Sequence, residues 1–190
     1  MTAAFRRTSV ASAGIARALG AAAALVLSAC ATAPADPVTD GLDPQTATTV
    51  TVLGAPVELV ADKVRGGAGD PFAYVAPFET DQMGQRTLYV WISAPQNSGP
   101  LLEPRLFCDS QPVDLKPVSG DLAQFRLSRP PYALPAPWSA QWYFLLSHEA
   151  LQCLGSAQGI AVEAQSAQGD PVRYTASGKT LSALQAFARR

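Results

Sequence analysis

The fold of this chain is decided by residues 87–93, Thr-Leu-Tyr-Val-Trp-Ile-Ser. These β-branched and aromatic side chains favour a strand. Because side chains alternate between the two faces of a strand, the aliphatic residues share one face, and Tyr89 and Trp91 share the other. Both faces are therefore apolar. The pattern predicts a central strand with Trp91 in the core.

Further strand patterns lie on both sides of this segment. They occupy residues 49–53, 57–60, 105–108, 124–127, 141–146, 160–164 and 172–175. Gly54-Ala55-Pro56 predicts either a turn between two strands or a bulged, bent strand, and the turn residues 168–171 predict a hairpin. Strands at this spacing, in a chain with 16 prolines, predict a mainly β fold. The expected architecture is an antiparallel β-sandwich or a partly open barrel.

Two helices are predicted beside the strands. Ser147 has the side chain of an N-cap, so a short helix is expected after residue 146, with Gly155 as its stop. A C-terminal helix is expected to begin at Ser177 and to end at Arg189-Arg190, whose positive charges suit a helix C-terminus. Its apolar residues share one helical face: Leu181, Leu184, Phe187 and Ala188.

Residues 1–30 have the three parts of an export signal. Three arginines precede an apolar stretch at residues 19–27, which ends in Leu27-Ser28-Ala29-Cys30. This sequence resembles the lipobox of bacterial lipoproteins. The resemblance implies that Cys30 is diacylated, becomes the new N-terminus and usually gains a third acyl chain. Two or three chains hold a protein firmly at a membrane, whereas one chain holds it marginally.

Other interpretations of this segment fit less well. The apolar run is shorter than the roughly 20 residues that span a bilayer, and Arg17 interrupts any longer run. An ordinary secretory signal would leave Cys30 as an odd thiol. In lipoproteins of two-membrane bacteria, Asp two residues after the cysteine commonly signals inner-membrane retention. Thr32 stands there, so the resemblance implies delivery to the outer membrane, facing the periplasm.

The chain divides into three predicted segments. Residues 1–29 are the signal peptide, residues 30–47 are a flexible tether rich in small residues and proline, and residues 48–190 are a single β-rich domain. Without residues 1–29, the chain has 11 basic and 15 acidic residues and a formal net charge of −4. This charge argues against a nucleic-acid partner. No second apolar run predicts a membrane span.

The two remaining cysteines, Cys108 and Cys153, form an even number in an oxidising compartment. A disulfide from a strand to the short helix is the main prediction. A buried pair of thiols and a catalytic cysteine are the alternatives. Cys153 lies five residues after His148, a separation that does not place them together on a helix face.

The motifs for catalysis and cofactors are incomplete. Ser177-Gly178-Lys179-Thr180 has the context of a phosphate-binding loop, but Arg173 stands where that motif needs glycine. His148 is the only histidine, and no Gly-x-Ser-x-Gly segment accompanies it. We therefore predict no catalytic residues, no metal and no cofactor, with His148 near the surface where a strand meets a helix.

Two segments have alternative interpretations as binding sites. The proline-rich residues 128–138 offer Tyr132 and Trp138 as a surface on which a sugar could stack, or form a stiff loop whose aromatic residues fold back on the core. Four acidic residues in loop-like sequence could bind calcium or form a solvated loop: Asp62, Asp70, Glu79 and Asp81. EF-hand spacing is absent, which favours the solvated loop.

Three classes of function are consistent with these patterns. The leading one is a non-catalytic, lipid-anchored component of the bacterial envelope that interacts with another envelope protein or supports the cell surface. The second is a module that binds glycan or peptidoglycan through Tyr132 and Trp138. The third is a hydrolase with an unrecognised site around His148.

Overall fold

The computed structural model describes residues 36–62, 71–96, 102–165 and 171–190. Within these residues, eleven strands form one antiparallel sheet that curls into a half-barrel. The strands are β1 (Val38–Asp43), β2 (Thr48–Leu53), β3 (Val57–Ala61), β4 (Phe72–Gln82), β5 (Gln85–Pro95), β6 (Arg105–Cys108), β7 (Gln111–Pro112), β8 (Lys116–Val118), β9 (Ser139–Leu145), β10 (Gly159–Ala164) and β11 (Val172–Ser177).

The order of strands across the sheet is β7-β6-β10-β11-β3-β4-β5-β9-β8, with β2 also beside β4 and β1 outside β2. The mainly β fold is therefore confirmed, and a single curled sheet corresponds to the partly open barrel. β5 is central, as predicted, and Trp91 is fully buried. The predicted hairpin is formed by β10 and β11.

β2 and β3 together make one bent strand. Both run antiparallel to β4, with Val52 opposite Phe78 and Val57 opposite Val75. Four residues of the bent strand thus face two residues of β4, and the extra residues form a bulge. The bulged alternative predicted for Gly54-Ala55-Pro56 is confirmed.

The long strand β4 corrects an expectation from the sequence. Glu79 and Asp81 lie on this strand, so their assignment to a loop is wrong. Pro77 lies in the middle of β4, and a proline within a run of residues argues against a strand when only the sequence is considered. It is tolerated because its backbone faces the bulge, where the hydrogen-bond ladder to the neighbouring strand is already interrupted.

The predicted tether also extends too far along the chain. Every residue of β1 pairs with β2, from Val38 opposite Leu53 to Asp43 opposite Thr48. Residues 38–47 therefore belong to the folded domain, and the expected boundary at residue 48 is wrong. Small and acidic residues dominate β1, so its extended form depends on the neighbouring strand and not on its own propensity. Residues 30–35 lie outside the described residues.

An aromatic layer covers one face of the sheet. It consists of Phe78, Tyr89, Trp91, Phe125, Tyr132 and Tyr143. Phe125 comes from the short helix α1 (Leu122–Phe125), where Asp121 accepts the N–H of Ala123 at 3.0 Å as the N-cap. The strand predicted over residues 124–127 is therefore wrong. Arg126 adopts a left-handed conformation with φ 55° and ends the helix. Phe125 and Leu127 are both buried, although the segment is not a strand in which side chains alternate between two faces.

A helical layer covers part of the opposite face. It contains α2 (His148–Ser156), a 3₁₀ turn (Gly178–Leu181) and α3 (Ser182–Ala188). Leu181, Leu184 and Phe187 are buried, as the apolar face predicts. In the ranges that the structure covers, no helix has both the length and the apolar character that a membrane crossing needs.

The ends of these helices agree only in part with the sequence. Ser147 is the N-cap of α2 and accepts the N–H of Ala150 at 3.1 Å, as predicted. Gly155 lies inside α2 and does not stop it. Glycine suits this position because a Cβ atom here would collide with Ala188 of α3. Ser177 makes no side-chain cap, so its predicted role is wrong.

A disulfide joins the helical layer to the sheet. It links Cys108 on β6 to Cys153 on α2, and the two Cα atoms are 6.2 Å apart. The predicted bridge from a strand to the short helix is confirmed. It closes a sequence separation of 45 residues, which favours the folded state by restricting the unfolded chain.

Candidate functional site

A groove of about 500 Å³ lies between the sheet and the helical layer. The sheet contributes Asp40, Thr49, Thr51, Glu79, Asp81, Arg86 and Leu88, and the helical layer and C-terminus contribute His148, Leu151, Phe187, Ala188 and Arg190. Strand, turn and helix residues from distant parts of the chain therefore share one concave surface. We call the surface formed by these twelve residues the polar groove.

Two cross-strand rows form the floor of the polar groove. The first row contains Asp40, Thr51, Glu79 and Leu88, and the second contains Thr49, Asp81 and Arg86. Residues two positions apart on a strand share a face, so both rows point away from the aromatic layer. The strand register thus gathers three carboxylates and an arginine on one surface.

The carboxylates of the polar groove bind to its arginines. Arg86 Nε lies 3.2 Å from Asp81 Oδ2 and 3.7 Å from Glu79 Oε1. Arg190 binds Asp40 in a bidentate manner, with distances of 3.0 and 3.1 Å. These pairs balance most of the acidic charge. The groove therefore offers mixed charge to a polar partner and no uncompensated cluster of acids.

Asp40 has a second stabilising contact. The Thr51 hydroxyl donates to Asp40 Oδ1 at 2.7 Å. This hydrogen bond, followed by the contacts of Arg190, holds the pKa of Asp40 below its ordinary value. Asp40 is therefore an ionised hydrogen-bond acceptor at neutral pH, and Arg190 is positioned by it at the rim of the groove.

His148 also lines the polar groove. It is exposed and is the first residue of α2, directly after the N-cap Ser147, as expected for a histidine where a strand meets a helix. The Ser147 hydroxyl is engaged with the helix backbone. The groove thus places the His148 imidazole on the same concave surface as Glu79 and Asp81.

The structure separates the two aromatic residues of the predicted binding surface. Tyr132 is only 6% exposed, and its hydroxyl accepts the N–H of Leu53 at 2.9 Å and donates to the carbonyl of Pro77 at 2.6 Å. It thereby closes the gap that the bulge leaves between β2 and β4, and burial raises its pKa well above the ordinary range. The prediction that Tyr132 belongs to an exposed binding surface is therefore wrong. Trp138, by contrast, is 58% exposed.

A buried carboxylate holds the outer strands in place. Asp43 accepts the N–H and hydroxyl of Ser128 at 2.6 and 2.8 Å, and the N–H of Gln45 at 3.0 Å. The hydrogen bond from the Ser128 backbone is the main cause that lowers the pKa of Asp43 to about 2. This contact fastens the turn between β1 and β2 to the chain that follows α1. Beside it, a second cleft of about 350 Å³ runs along the aromatic side of β1.

The other candidate residues lie in separate places. Asp62 follows β3 beside the start of β4 and accepts a hydrogen bond from Thr175 at 2.8 Å, whereas Glu79 and Asp81 lie in the second half of β4. Asp70 lies outside the described residues. Within the ranges that the structure describes, no group of three or more His, Cys, Asp or Glu side chains is arranged to hold a metal. Residues 177–180 form the end of β11 and the 3₁₀ turn, where the Thr180 hydroxyl donates to the Ser177 carbonyl at 2.8 Å.

The polar groove as a unit was not predicted from the sequence. Asp40 was assigned to the tether, Arg190 was expected only to suit the end of a helix, and Arg86 had no predicted role. One signal was present: Thr49 and Thr51, like Glu79 and Asp81, are polar residues two positions apart, which is typical of a polar strip on one face of a sheet.

Comparisons with known proteins identify no related protein. No protein-family model matches the chain, and searches of curated proteins and of solved structures find no match. Cys30 and Thr32 lie outside the described residues. The sequence of the first 30 residues and the geometry of the domain are therefore the basis for assigning a function.

Proposed function

We propose that this protein is a lipid-anchored component of a bacterial cell envelope and that its domain acts by binding another envelope component. The observation that carries this proposal is Leu27-Ser28-Ala29-Cys30 after a basic and apolar leader. The disulfide between Cys108 and Cys153 supports it, because structural disulfides persist in oxidising compartments. Acylation of Cys30 would attach the domain to a membrane without a membrane-spanning segment.

The polar groove is the surface that best suits a partner. Its carboxylates are already matched by Arg86 and Arg190, so a polar partner with mixed charge can exchange ion pairs without burying an unmatched charge. A segment of another envelope protein has this chemistry. A glycan remains the second candidate, with Trp138 as its stacking residue because Tyr132 is buried.

Acyl labelling tests the anchor. Cys30→Ser should abolish the incorporation of labelled palmitate and block maturation, whereas the Cys108→Ala/Cys153→Ala double variant should keep its label. A Cys30→Ser protein that still matures and still partitions with membranes would overturn the lipoprotein assignment.

Density-gradient fractionation tests delivery to the outer membrane in a two-membrane host. Thr32 predicts that the protein sediments with the outer membrane, and Thr32→Asp should move it to the inner membrane. Recovery of the unaltered protein chiefly with the inner membrane would contradict this part of the proposal.

The hydrolase alternative is supported by the position of His148, which lines the groove with Glu79 and Asp81. Cross-linking in the envelope distinguishes this alternative from partner binding in the polar groove. Arg86→Ala/Arg190→Ala should remove the cross-linked partner, while His148→Ala should keep both the partner and the cellular role. Loss of the role in His148→Ala, at normal abundance and with the partner still cross-linked, would favour a hydrolase. Glycan in the purified complex would favour the second candidate.

A further inference from the structure

β1 is an outer strand of the sheet, and its far edge is open. It pairs with β2 on one side only, and its middle residues, 39–42, are all exposed. In the sheet that the described residues form, the other two outer strands are β7 and β8, which have two and three residues and contain a proline each. Short strands and prolines protect an edge from pairing with another chain. β1 has six residues, no proline and no bulge, so it lacks this protection.

The register shows which backbone groups of β1 face the open edge. The Gly54 N–H donates to the Pro37 carbonyl at 2.8 Å, and bonded and unbonded pairs alternate along an antiparallel ladder. The odd-numbered residues of β1 therefore point their N–H and C=O groups toward β2, and the even-numbered residues point theirs away. Among the described residues, no partner is present for the outward N–H and C=O groups of Asp40 and Leu42.

Gly41 lies between these two residues, and contacts within the described chain do not require a glycine there. A Cβ atom at this position would meet only the Val50 side chain, at 3.9 Å, which is an ordinary contact. Glycine weakens a strand, and a glycine inside a strand often marks a place where another backbone approaches closely. Gly41 thus points to a backbone beside the open edge.

From these features we propose that two copies of this chain pair edge to edge through β1, antiparallel, about a two-fold axis at Gly41. Gly41 of one copy is then opposite Gly41 of the other, and Asp40 of each copy is opposite Leu42 of the other, as an isologous contact requires. The open N–H and C=O groups of Asp40 and Leu42 in both copies together form four hydrogen bonds. The pairing thus satisfies all the open groups of both residues.

A two-fold axis at Asp40 fits less well. It would place the two Asp40 carboxylates directly opposite each other, and like charges in this position are unfavourable. It would also pair Val38 with Leu42 of the second copy, although the Val38 N–H already donates to the Asp36 side chain at 3.0 Å. The axis at Gly41 avoids both problems.

The side chains of β1 suit the same register. Leu42 is 64% exposed and lies on the same face of the strand as Asp40. In the pair, the two Leu42 side chains are diagonal neighbours, so each covers part of the other. Asp40 is already matched by Arg190 of its own copy, so the pairing buries no unmatched carboxylate.

The contact is small, so pairing is weak between copies that are dissolved separately. Copies held on one membrane by Cys30 would meet at a much higher effective concentration. This contribution of the membrane rests on the proposed lipid anchor, whereas the open edge of β1 does not depend on it.

Cysteine cross-linking tests the register. Full-length Gly41→Cys is oxidised mildly in envelope membranes and separated by non-reducing electrophoresis. Opposite residues of an unbonded pair have Cα atoms about 4.5 Å apart, within the range of about 4.4–6.8 Å for a disulfide. We therefore expect a linked dimer. Thr39→Cys is the matched control on the same face of β1, because its two copies would be about 14 Å apart along the strands and should not link.

Two charge variants of Leu42 in the Gly41→Cys background test which residue lies opposite. Leu42→Asp faces Asp40 of the second copy and should lower the linked fraction about threefold or more, because like charges then oppose each other in both pairs. Leu42→Lys places an opposite charge there and should keep the dimer. Circular dichroism checks that each variant keeps the β fold. Equal loss in the two charge variants, or equal linking through position 39, overturns the pairing.

Mass spectrometry reports acylation separately from pairing. The unaltered protein, which has no cysteine in β1, shows any linking through Cys30. An acylated Gly41→Cys protein that stays monomeric overturns the pairing and leaves the anchor intact. A protein that links at position 41 without acyl groups supports the pairing and overturns only the anchor.

Discussion

The two faces of β4 and β5 differ in chemistry although they share one backbone. Phe78 lies in the aromatic layer, stacked on Tyr89 with ring centroids 5.0 Å apart. Glu79, the next residue, points to the opposite face and lies in the polar groove beside Arg86. One face is buried and apolar. The other is exposed to solvent and charged where the helical layer leaves it uncovered.

This difference separates stability from binding. Buried aromatic rings contribute through area removed from water and through edge-to-face contacts, so the aromatic layer holds the curled sheet together. Exposed ion pairs contribute little to stability, but they can be exchanged with a partner. We therefore expect substitutions on the aromatic face to unfold the domain and substitutions in the polar groove to change binding.

The largest effect is expected for Phe78→Ala. This fully buried ring packs against Tyr89, Phe125, Tyr132 and Tyr143. Its removal should lower the free energy of unfolding by about 3–5 kcal/mol, because a cavity remains where the ring was. Urea denaturation measures the loss, and Met83→Ala serves as the exposed control with no change. A loss no greater than that of the control would show that the aromatic layer does not support the fold.

A smaller loss is expected for Tyr132→Phe. The substitution keeps the ring but leaves the Leu53 N–H and the Pro77 carbonyl without the hydroxyl that joins them. Two backbone groups at the bulge then lose their partner, at a cost of about 1–3 kcal/mol. Tyr143→Phe is the matched control, because its hydroxyl donates to the Gln141 side chain at 3.2 Å and, within the described residues, to no backbone group of the ladder. Equal losses in the two variants would contradict the role of Tyr132 in the ladder.

Acid should weaken the domain through Asp43. Its pKa is lowered from 3.8 to about 2, so its contribution to stability is fully present above the unfolded value and is lost as the pH falls through the folded one. Denaturant midpoints measured from neutral pH down to about pH 2 should therefore decline most steeply below about pH 4. Asp43→Asn should be less stable at neutral pH and should show a flatter decline. An unchanged pH profile in the variant would assign the decline to other carboxylates.

The smallest effect on stability is expected in the polar groove. Arg190→Ala removes the ion pair with Asp40, whose side chains are both about half exposed. The free energy of unfolding should change by at most about 1 kcal/mol, and less in high salt. Cross-linking to the envelope partner should nevertheless fall. A large loss of stability with unchanged cross-linking would reverse the distinction between the two faces.

Several features were predictable because they depend on local chemistry. The alternating β-prone runs identified β5, β9, β10 and β11, and the hydroxyl of Ser147 identified the start of α2. An even pair of cysteines after Cys30 predicted the disulfide. The apolar spacing of Leu181, Leu184 and Phe187 predicted their burial. Each of these inferences needs only neighbouring residues or a simple count.

Other features were decided by the tertiary structure. β1 is extended because β2 pairs with it, β4 continues through Pro77 because the bulge has already interrupted the ladder, and Phe125 lies in a helix because Asp121 caps a single turn. The polar groove joins Asp40 to Arg190, which are 150 residues apart in sequence. The sequence by itself determined the strand-rich composition, the basic and apolar leader before Cys30, and the cap at Ser147. Only the folded sheet decided the groove, because strand register brings distant residues onto one surface.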